Sequence, residues 1–346
     1  MSSLDSTLEY LFNLKNRGIK LSLDRVYEFQ KRLEYPDRAY PVFHIAGTNG
    51  KGSVTNFIAA ILQQGGYRVG RYTSPHIFRF NERIQVNGRQ ISDRDIVRFI
   101  DTWRSAIDEL QLTFFETTTL LAMDFFRKER VDVAVLETGL GGRLDATNIV
   151  QPLVAVITSI GLEHTEQLGE TILAIAREKG GIIKSGVPCV VGPMEKSALT
   201  PLREIADNRG AELVPAHEQV RPSDIRVTET GTESDLTVNQ IDYRVRLEMR
   251  GAQAANNCAI ALAAIRAQDR FDLPWEDQLE AVAKVTIPGR LQTMQTDPPV
   301  YYDVAHNPDS LRQLFENLNA LHPHREFRFL LGVSVTKPLA PFRSLF

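Results

Sequence analysis

Apolar residues recur along this chain at two spacings, and the alternation between them lays out its elements. Between residues 3 and 33 they fall at helical intervals in two bursts. Leu4, Leu8, Leu11 and Phe12 form the first, Leu23, Val26, Tyr27, Phe29 and Leu33 the second, and Asn16-Arg17-Gly18 separates them. This predicts two helices, the second ended by Tyr35-Pro36. A continuous apolar run at 42–46 reads as a strand, followed by small residues and a new helical pattern of Val54, Phe57, Ile58, Ile61 and Leu62. A strand at 69–72 follows, then two polar-alternating runs around Asn87-Gly88, the dipeptide of a type I′ hairpin. Ser92 or Asp93 caps the next helix, which carries Ile96, Phe99, Ile100 and Trp103, and Phe114 opens another that runs to Phe126.

Two near-continuous apolar strands at 131–136 and 154–158, a third at 187–191, and helices near 171–179 and 199–208 complete the alternation. Such strands predict a parallel sheet covered on both faces, with ligands gathered beyond its carboxyl edge. From 225 to 249 the pattern turns to polar alternation, as in Tyr243-Arg244-Val245-Arg246-Leu247, and predicts antiparallel strands as an edge or an added sheet. Residues 252–267 are alanine-rich and helical by propensity. Pro288-Gly289 reads as a domain joint. Beyond it a strand at 300–304, a helix started by His306-Asn307-Pro308-Asp309 and a strand at 327–331 begin a second α/β unit. The fold class is α/β, with units at 1–288 and 289–346, the second too small to enclose a core of its own.

The segment from Gly47 to Ser53 carries the clearest chemistry. Gly47, Gly50 and Gly52 allow backbone N–H groups to converge on phosphate oxygens at a helix start, and Lys51 adds a point charge. Only Thr48 and Asn49 stand between the first glycine and the Gly-Lys pair, where the common nucleotide loop has four residues. The loop therefore suits a polyphosphate but is not the generic kind. Ser74, Glu137 and His164 fall at the same predicted sheet edge, and an acidic group, a hydroxyl and a histidine there suit a divalent ion such as Mg2+ shared with phosphate. Glu137 also reads as a surface carboxylate, and His164 as a loop histidine. Lys179, between Glu178 and Gly180, reads by spacing as a solvated helix-end cation.

Bulk properties narrow the class. At 346 residues, 43% hydrophobic and 24% charged, the chain is an ordinary globular protein. A net charge of -3 gives no case for nucleic acid as a partner. Two cysteines without metal-ligand spacing suit a reducing compartment, and without a signal segment or a run of membrane-spanning length a cytoplasmic protein is expected.

The ordered strings GTNGKGS (from Gly47), YTSPH (from Tyr72), FNERIQVNG (from Phe80), LETGLGGRLDATN (from Leu136), TSIGLEHTEQLG (from Thr158), IAREKGGIIK (from Ile175), PGRLQ (from Pro288) and YYDVAHNP (from Tyr301) together resemble the dihydrofolate synthase and folylpolyglutamate synthase family, relatives of the Mur cell-wall ligases. The resemblance implies a Mur-ligase-like central domain with a phosphate loop, followed by a truncated Rossmann-like C-terminal domain. It implies an ATP-dependent ligase in which a pteroate or folate carboxylate is phosphorylated and L-glutamate's amine attacks the acyl phosphate. Implied for ATP are Thr48, Asn49, Gly50, Lys51, Gly52 and Ser53, with Asn256, Arg290, Asp303 and His306 from the far side. Ser74, Glu137 and His164 are implied as magnesium ligands, and Lys179 as a carbamylated lysine serving a second magnesium. Lys51, Lys179 and His164 are the implied catalytic groups. Ile19, Lys20 and Leu21, Thr113, Phe114, Phe115 and Glu116, and Leu144, Asp145 and Ala146 are implied for dihydropteroate or reduced folate. A monomer acting on small molecules is expected.

The sequence departs from the family where Val335-Thr336-Lys337-Pro338 replaces an acidic stretch and Ala252 a frequent histidine. A weak or silent homologue that binds only nucleotide or pterin is the competing reading.

Overall fold

The computed structural model describes residues 2–332; the Val335 to Pro338 departure lies outside them. Helices α1 (Leu4–Asn13) and α2 (Asp24–Arg32) precede strand β1 (Val42–Ala46) and helix α3 (Lys51–Gln64). Strand β2 (Val69–Tyr72) leads to the hairpin β3 (Ile84–Val86) and β4 (Arg89–Gln90). Asn87 and Gly88 both have positive φ, 46° and 75°, as a type I′ turn requires. Helices α4 (Asp93–Glu109) and α5 (Phe114–Lys128) are capped by Ser92 and Thr113. There follow β5 (Val133–Glu137), β6 (Val154–Ile157), α6 (Thr165–Leu168), α7 (Ile172–Gly180), β7 (Cys189–Val191), α8 (Lys196–Asn208), β8 (Leu213–Pro215) and the short α9 (Ala216–Gln219).

These strands form one sheet of order β4-β3-β2-β5-β1-β6-β7-β8. Strands β2, β5, β1, β6, β7 and β8 are parallel; β3 runs antiparallel to β2, and β4 runs antiparallel to β3 at the sheet edge. From β1 the chain moves first to one side, to β2 and β5, then to the other, to β6. The carboxyl end of β1 is thus a topological switch point, where the flanking loops part and leave a crevice. The expected parallel sheet with helices on both faces is present. Phe43, Ile45, Val133 and Val135 face α3 and later helices, while Ala134 and Leu136 face α5 and its neighbours.

The polar alternation forms a separate antiparallel sheet, β9 (Arg221–Thr228), β10 (Gly231–Val238) and β11 (Ile241–Leu247). Leu236, Val238, Val245 and Leu247 bury its inner face in the same core as α10 (Ala252–Arg266) and α11 (Trp275–Ala283).

Past Gly289 two expectations are corrected. The strand near 300 is β13 (Pro299–Tyr302), paired antiparallel with β12 (Gln292–Thr296). β12 escaped detection because its Gln-Thr-Met-Gln-Thr sequence has no apolar face. The strand expected at 327–331 is irregular backbone. A strand needs a ladder partner; here Phe329 instead packs on Phe315, and Phe327 on Tyr301 and His322. Helix α12 (Pro308–Leu321) is capped by Asn307 and packs against α10 and β9.

Candidate active site

The phosphate loop is shaped by contacts to the segment after β6. Thr48 donates its N–H to the Ser159 carbonyl (2.8 Å), and its hydroxyl accepts from the Gly161 N–H (2.9 Å). The hydroxyls of Thr158 and Ser159 both donate to the Asn49 carbonyl. Gly50 has φ +87°, and a Cβ there would lie 2.5 Å from Asn257 Oδ1, so only glycine fits. The first-turn amides of α3, on Lys51, Gly52 and Ser53, have no intrahelical acceptor and point out of the helix start.

Two cations converge on one carbonyl. Lys51 Nζ donates to the carbonyls of Gly47 (2.9 Å) and Thr48 (3.1 Å), and Lys179 Nζ donates to the same Gly47 carbonyl (2.7 Å). The reading of Lys179 as a solvated helix-end cation is overturned, since it is 3% exposed. Burial, reinforced by the Lys51 charge and opposed by Glu163 and Asp145, lowers its pKa to about 7. At neutral pH much of it is a free amine.

Glu137, 4% exposed, is no surface carboxylate. Its Oε2 accepts the Ser74 N–H (3.1 Å), and both oxygens lie under Gly52. Burial pushes its carboxyl up, while Lys51, the Ser74 N–H, Arg290 and Arg83 pull it back. His164 sits in the left-handed region (φ 52°) at the start of α6, its ring 3.9 Å from Glu163 and exposed.

Glu163 was passed over in the sequence, though it adjoins His164 in the same strand-end string. Its Oε1 accepts from His306 Nε2 (3.0 Å), and Lys51, His164 and His306 favour its ionised form. Burial alone would raise its pKa; these groups hold it at about 2. Asn307, also missed, donates to Asn49 Oδ1 (3.0 Å) and joins α12 to the phosphate loop. Arg290 acts electrostatically on both Glu137 and Asp303. Asp303 accepts the Leu291 and Ala305 N–H groups, each at 2.7 Å, and so folds its own hinge. Asn256 bonds to Gln253, and its neighbour Asn257 is the residue that meets the loop.

The residues that the resemblance implies for the acceptor divide. Ile19 and Leu21 are exposed. Lys20 Nζ donates to the Gln111 carbonyl (3.4 Å), beside the start of α5. Thr113 and Glu116 form the capping box of α5, and Glu116 also pairs with Arg25 (2.8 Å). Phe114 stacks on Phe12 (centroids 5.8 Å apart), with the Arg83 guanidinium over its ring. Phe115 lies over Gly139, where a Cβ would be 2.4 Å from the ring.

Leu144 is half-buried and Ala146 buried. Asp145 Oδ2 accepts the N–H groups of Gly139 and Leu140, and Oδ1 accepts the Thr147 N–H and hydroxyl. That fills a carboxylate's acceptor capacity. Burial lowers the pKa of His44 to about 3, so the neutral ring donates from Nε2 to Thr147 Oγ1 (2.8 Å) and extends the chain into β1.

A phosphate loop at the switch point of a parallel sheet, faced by a buried carboxylate and lysine and met by the start of α12, defines a Mur-type ligase. The family described as Mur ligase middle domain matches residues 45–265. The chain is 35% identical to the dihydrofolate synthase/folylpolyglutamate synthase of Bacillus subtilis over 93% of this chain and 77% of that protein. It is 36% identical to the Escherichia coli protein of that name over 98% of this chain and 78% of the other. Among solved structures, a folylpolyglutamate synthase complex with AMPPCP and folate superposes with TM-score 0.87 at 31% identity, covering 92% of this chain and 80% of that one. The Mycobacterium tuberculosis folylpolyglutamate synthase with ADP gives 0.85 at 32% identity, over 92% and 74%. The chain belongs to the dihydrofolate synthase/folylpolyglutamate synthase family of Mur ligases.

Proposed function

We propose that the crevice at the end of β1 joins L-glutamate to an acceptor carboxylate at the expense of ATP. The acceptor is dihydropteroate, the glutamate tail of a reduced folate, or both. The convergence of Lys51, Glu137 and Lys179 on the mouth of the phosphate loop carries this reading. The amides at the start of α3 and the Lys51 ammonium hold the triphosphate, and Arg290 adds charge from the second unit. The acceptor carboxylate takes the γ-phosphoryl group, and the glutamate amine displaces phosphate from the resulting acyl phosphate. Phe114, Phe115 and Arg83 line the acceptor side.

Glu137 fits a divalent ion, because its buried carboxylate is only partly compensated by the cations around it. Among the described residues no three acidic, histidine or cysteine side chains form a ready metal cage. That suits magnesium, which takes one or two protein ligands and completes its shell with phosphate and water. Ser74, Glu137 and His164 would hold it, and it would supply charge neutralisation of the phosphoryl oxygens. Lys179 as a free amine can add CO2, giving a carbamate and releasing a proton. The carbamate is an anion where an ammonium stood.

We put the boundary between units at 288/289; supporting it, Gly289 has φ +69° and a Cβ there would meet Val304 at 2.6 Å. We place the protein in the cytoplasm as a monomer, with Cys189 and Cys258 buried as free thiols. No helix among the described residues is long and apolar enough to cross a membrane.

The test is glutamate-dependent ADP release, run with dihydropteroate and with tetrahydrofolate as separate acceptors. Turnover with either is expected. Nucleotide binding without release of ADP would favour the silent-homologue reading instead.

A further inference from the structure

The loop from Thr73 to Arg83 links three parts of the molecule. At its start the Ser74 N–H donates to Glu137 Oε2 (3.1 Å). Midway, the His76 ring lies 6.2 Å from both Phe12 and Phe80, and its Nδ1 accepts from Arg83 Nε (2.8 Å). Phe80 in turn packs edge-on against Phe114. Ile77 reaches the second unit, 3.3 Å from where a Cβ on Gly289 would stand. Yet none of residues 75–79 has a buried side chain, and Phe78 at the tip is 73% exposed. Apolar packing does not fix this segment.

A single carboxylate does. Glu82, in the 3-10 turn Phe80–Arg83, accepts the Ile77 N–H at Oε2 (2.8 Å) and those of Phe78 (2.9 Å) and Arg79 (2.6 Å) at Oε1. The Arg79 bond is half of a capping box; the other two extend it backward over the loop. Bonds to an ionised acceptor are about twice as strong as neutral ones. We propose that Glu82 is a positioning residue for the ligase reaction: it holds this loop so that Ser74 stays beside Glu137 while His76 and Phe80 wall the acceptor pocket.

The proposal rests on the ligase reading but has its own readout. In Glu82→Gln one amide oxygen replaces two carboxylate oxygens, and the NH2 group faces backbone donors. Exchange of the Ile77, Phe78 and Arg79 amides should speed up about tenfold or more, with α5 and β5 unchanged. Acceptor affinity, read by quenching of pterin fluorescence, should fall about tenfold, and ADP affinity should hold. Unchanged exchange, or faster exchange with unchanged acceptor affinity, overturns the proposal. If Glu82→Gln does not fold, the wild-type protein decides: protected amides at 77–79 support Glu82, and free exchange there overturns it. Failure of the wild-type protein to incorporate glutamate would count against the ligase reading alone.

Discussion

Lys51 and Lys179 differ in a way their sequence neighbourhoods conceal. Lys51 lies in a loop whose chemistry is spelled locally. Lys51→Ala should lower glutamate-dependent ADP release by at least about a hundredfold, with the thermal unfolding midpoint nearly unchanged. Lys179 follows Arg177 and Glu178 on a helix and looks solvated; it is buried by contacts remote in sequence, its Nζ ending on the Gly47 carbonyl.

The pH consequence follows from that burial. Below about pH 7 the folded and unfolded chains both carry the Lys179 proton, and folding bears the cost of a buried charge. Between there and about 10.4 the unfolded chain keeps a proton that the folded chain has lost, so this group makes stability rise with pH across that window. Lys179→Met, in CO2-free buffer at pH 7, should be more stable by on the order of 1 kcal/mol in urea unfolding, and the gap should close by pH 10. The same variant should be inactive. Native mass spectrometry of the wild-type protein should show the increment of one CO2, absent from the variant.

At the scale of elements, what the sequence reveals is what short-range physics decides. The β3–β4 hairpin is written in Asn87-Gly88, and the starts of α4 and α12 in Ser92 and in His306-Asn307-Pro308-Asp309. Strand β12 is illegible because it has no buried face to mark it, and 327–331 misleads because an apolar run without a ladder partner is not a strand. For Glu116 and Asp145, which the family resemblance implies for the acceptor, the carboxylate oxygens serve a helix cap, an ion pair and a loop, arrangements set by tertiary contacts.

The start of α3 offers a direct test. Gly50→Ala places a methyl against Asn257 at a positive φ and should cost about 1–2 kcal/mol, with weaker ADP binding by calorimetry. Adding Asn257→Ala should restore only part of the loss, because the backbone strain remains.

At the scale of the whole molecule, contacts remote in sequence tie the start of α12 to the phosphate loop. His306 and Asn307 bridge to Glu163 and Asn49, pairings separated by well over a hundred residues that no local pattern reveals. Asn307→Ala should raise the KM for ATP several-fold while leaving the acceptor KM unchanged. Glu163 has its pKa depressed by folding, so its contribution is present above the unfolded value near 4.3 and lost as pH falls through about 2. The difference in unfolding free energy between wild type and Glu163→Gln, from urea titration, should therefore be on the order of 2 kcal/mol at neutral pH and shrink steadily over that acid range.

The margins of the large sheet bear on whether other strands can add to it. One edge is β4, two residues long with Arg89 and Gln90 exposed; the other is β8, three residues ending in Pro215, which has no N–H to offer. Neither presents the long, flat row of unpaired donors and acceptors on which strands of another chain assemble. The same sheet that opens a crevice at its carboxyl edge is thereby closed to growth at both sides.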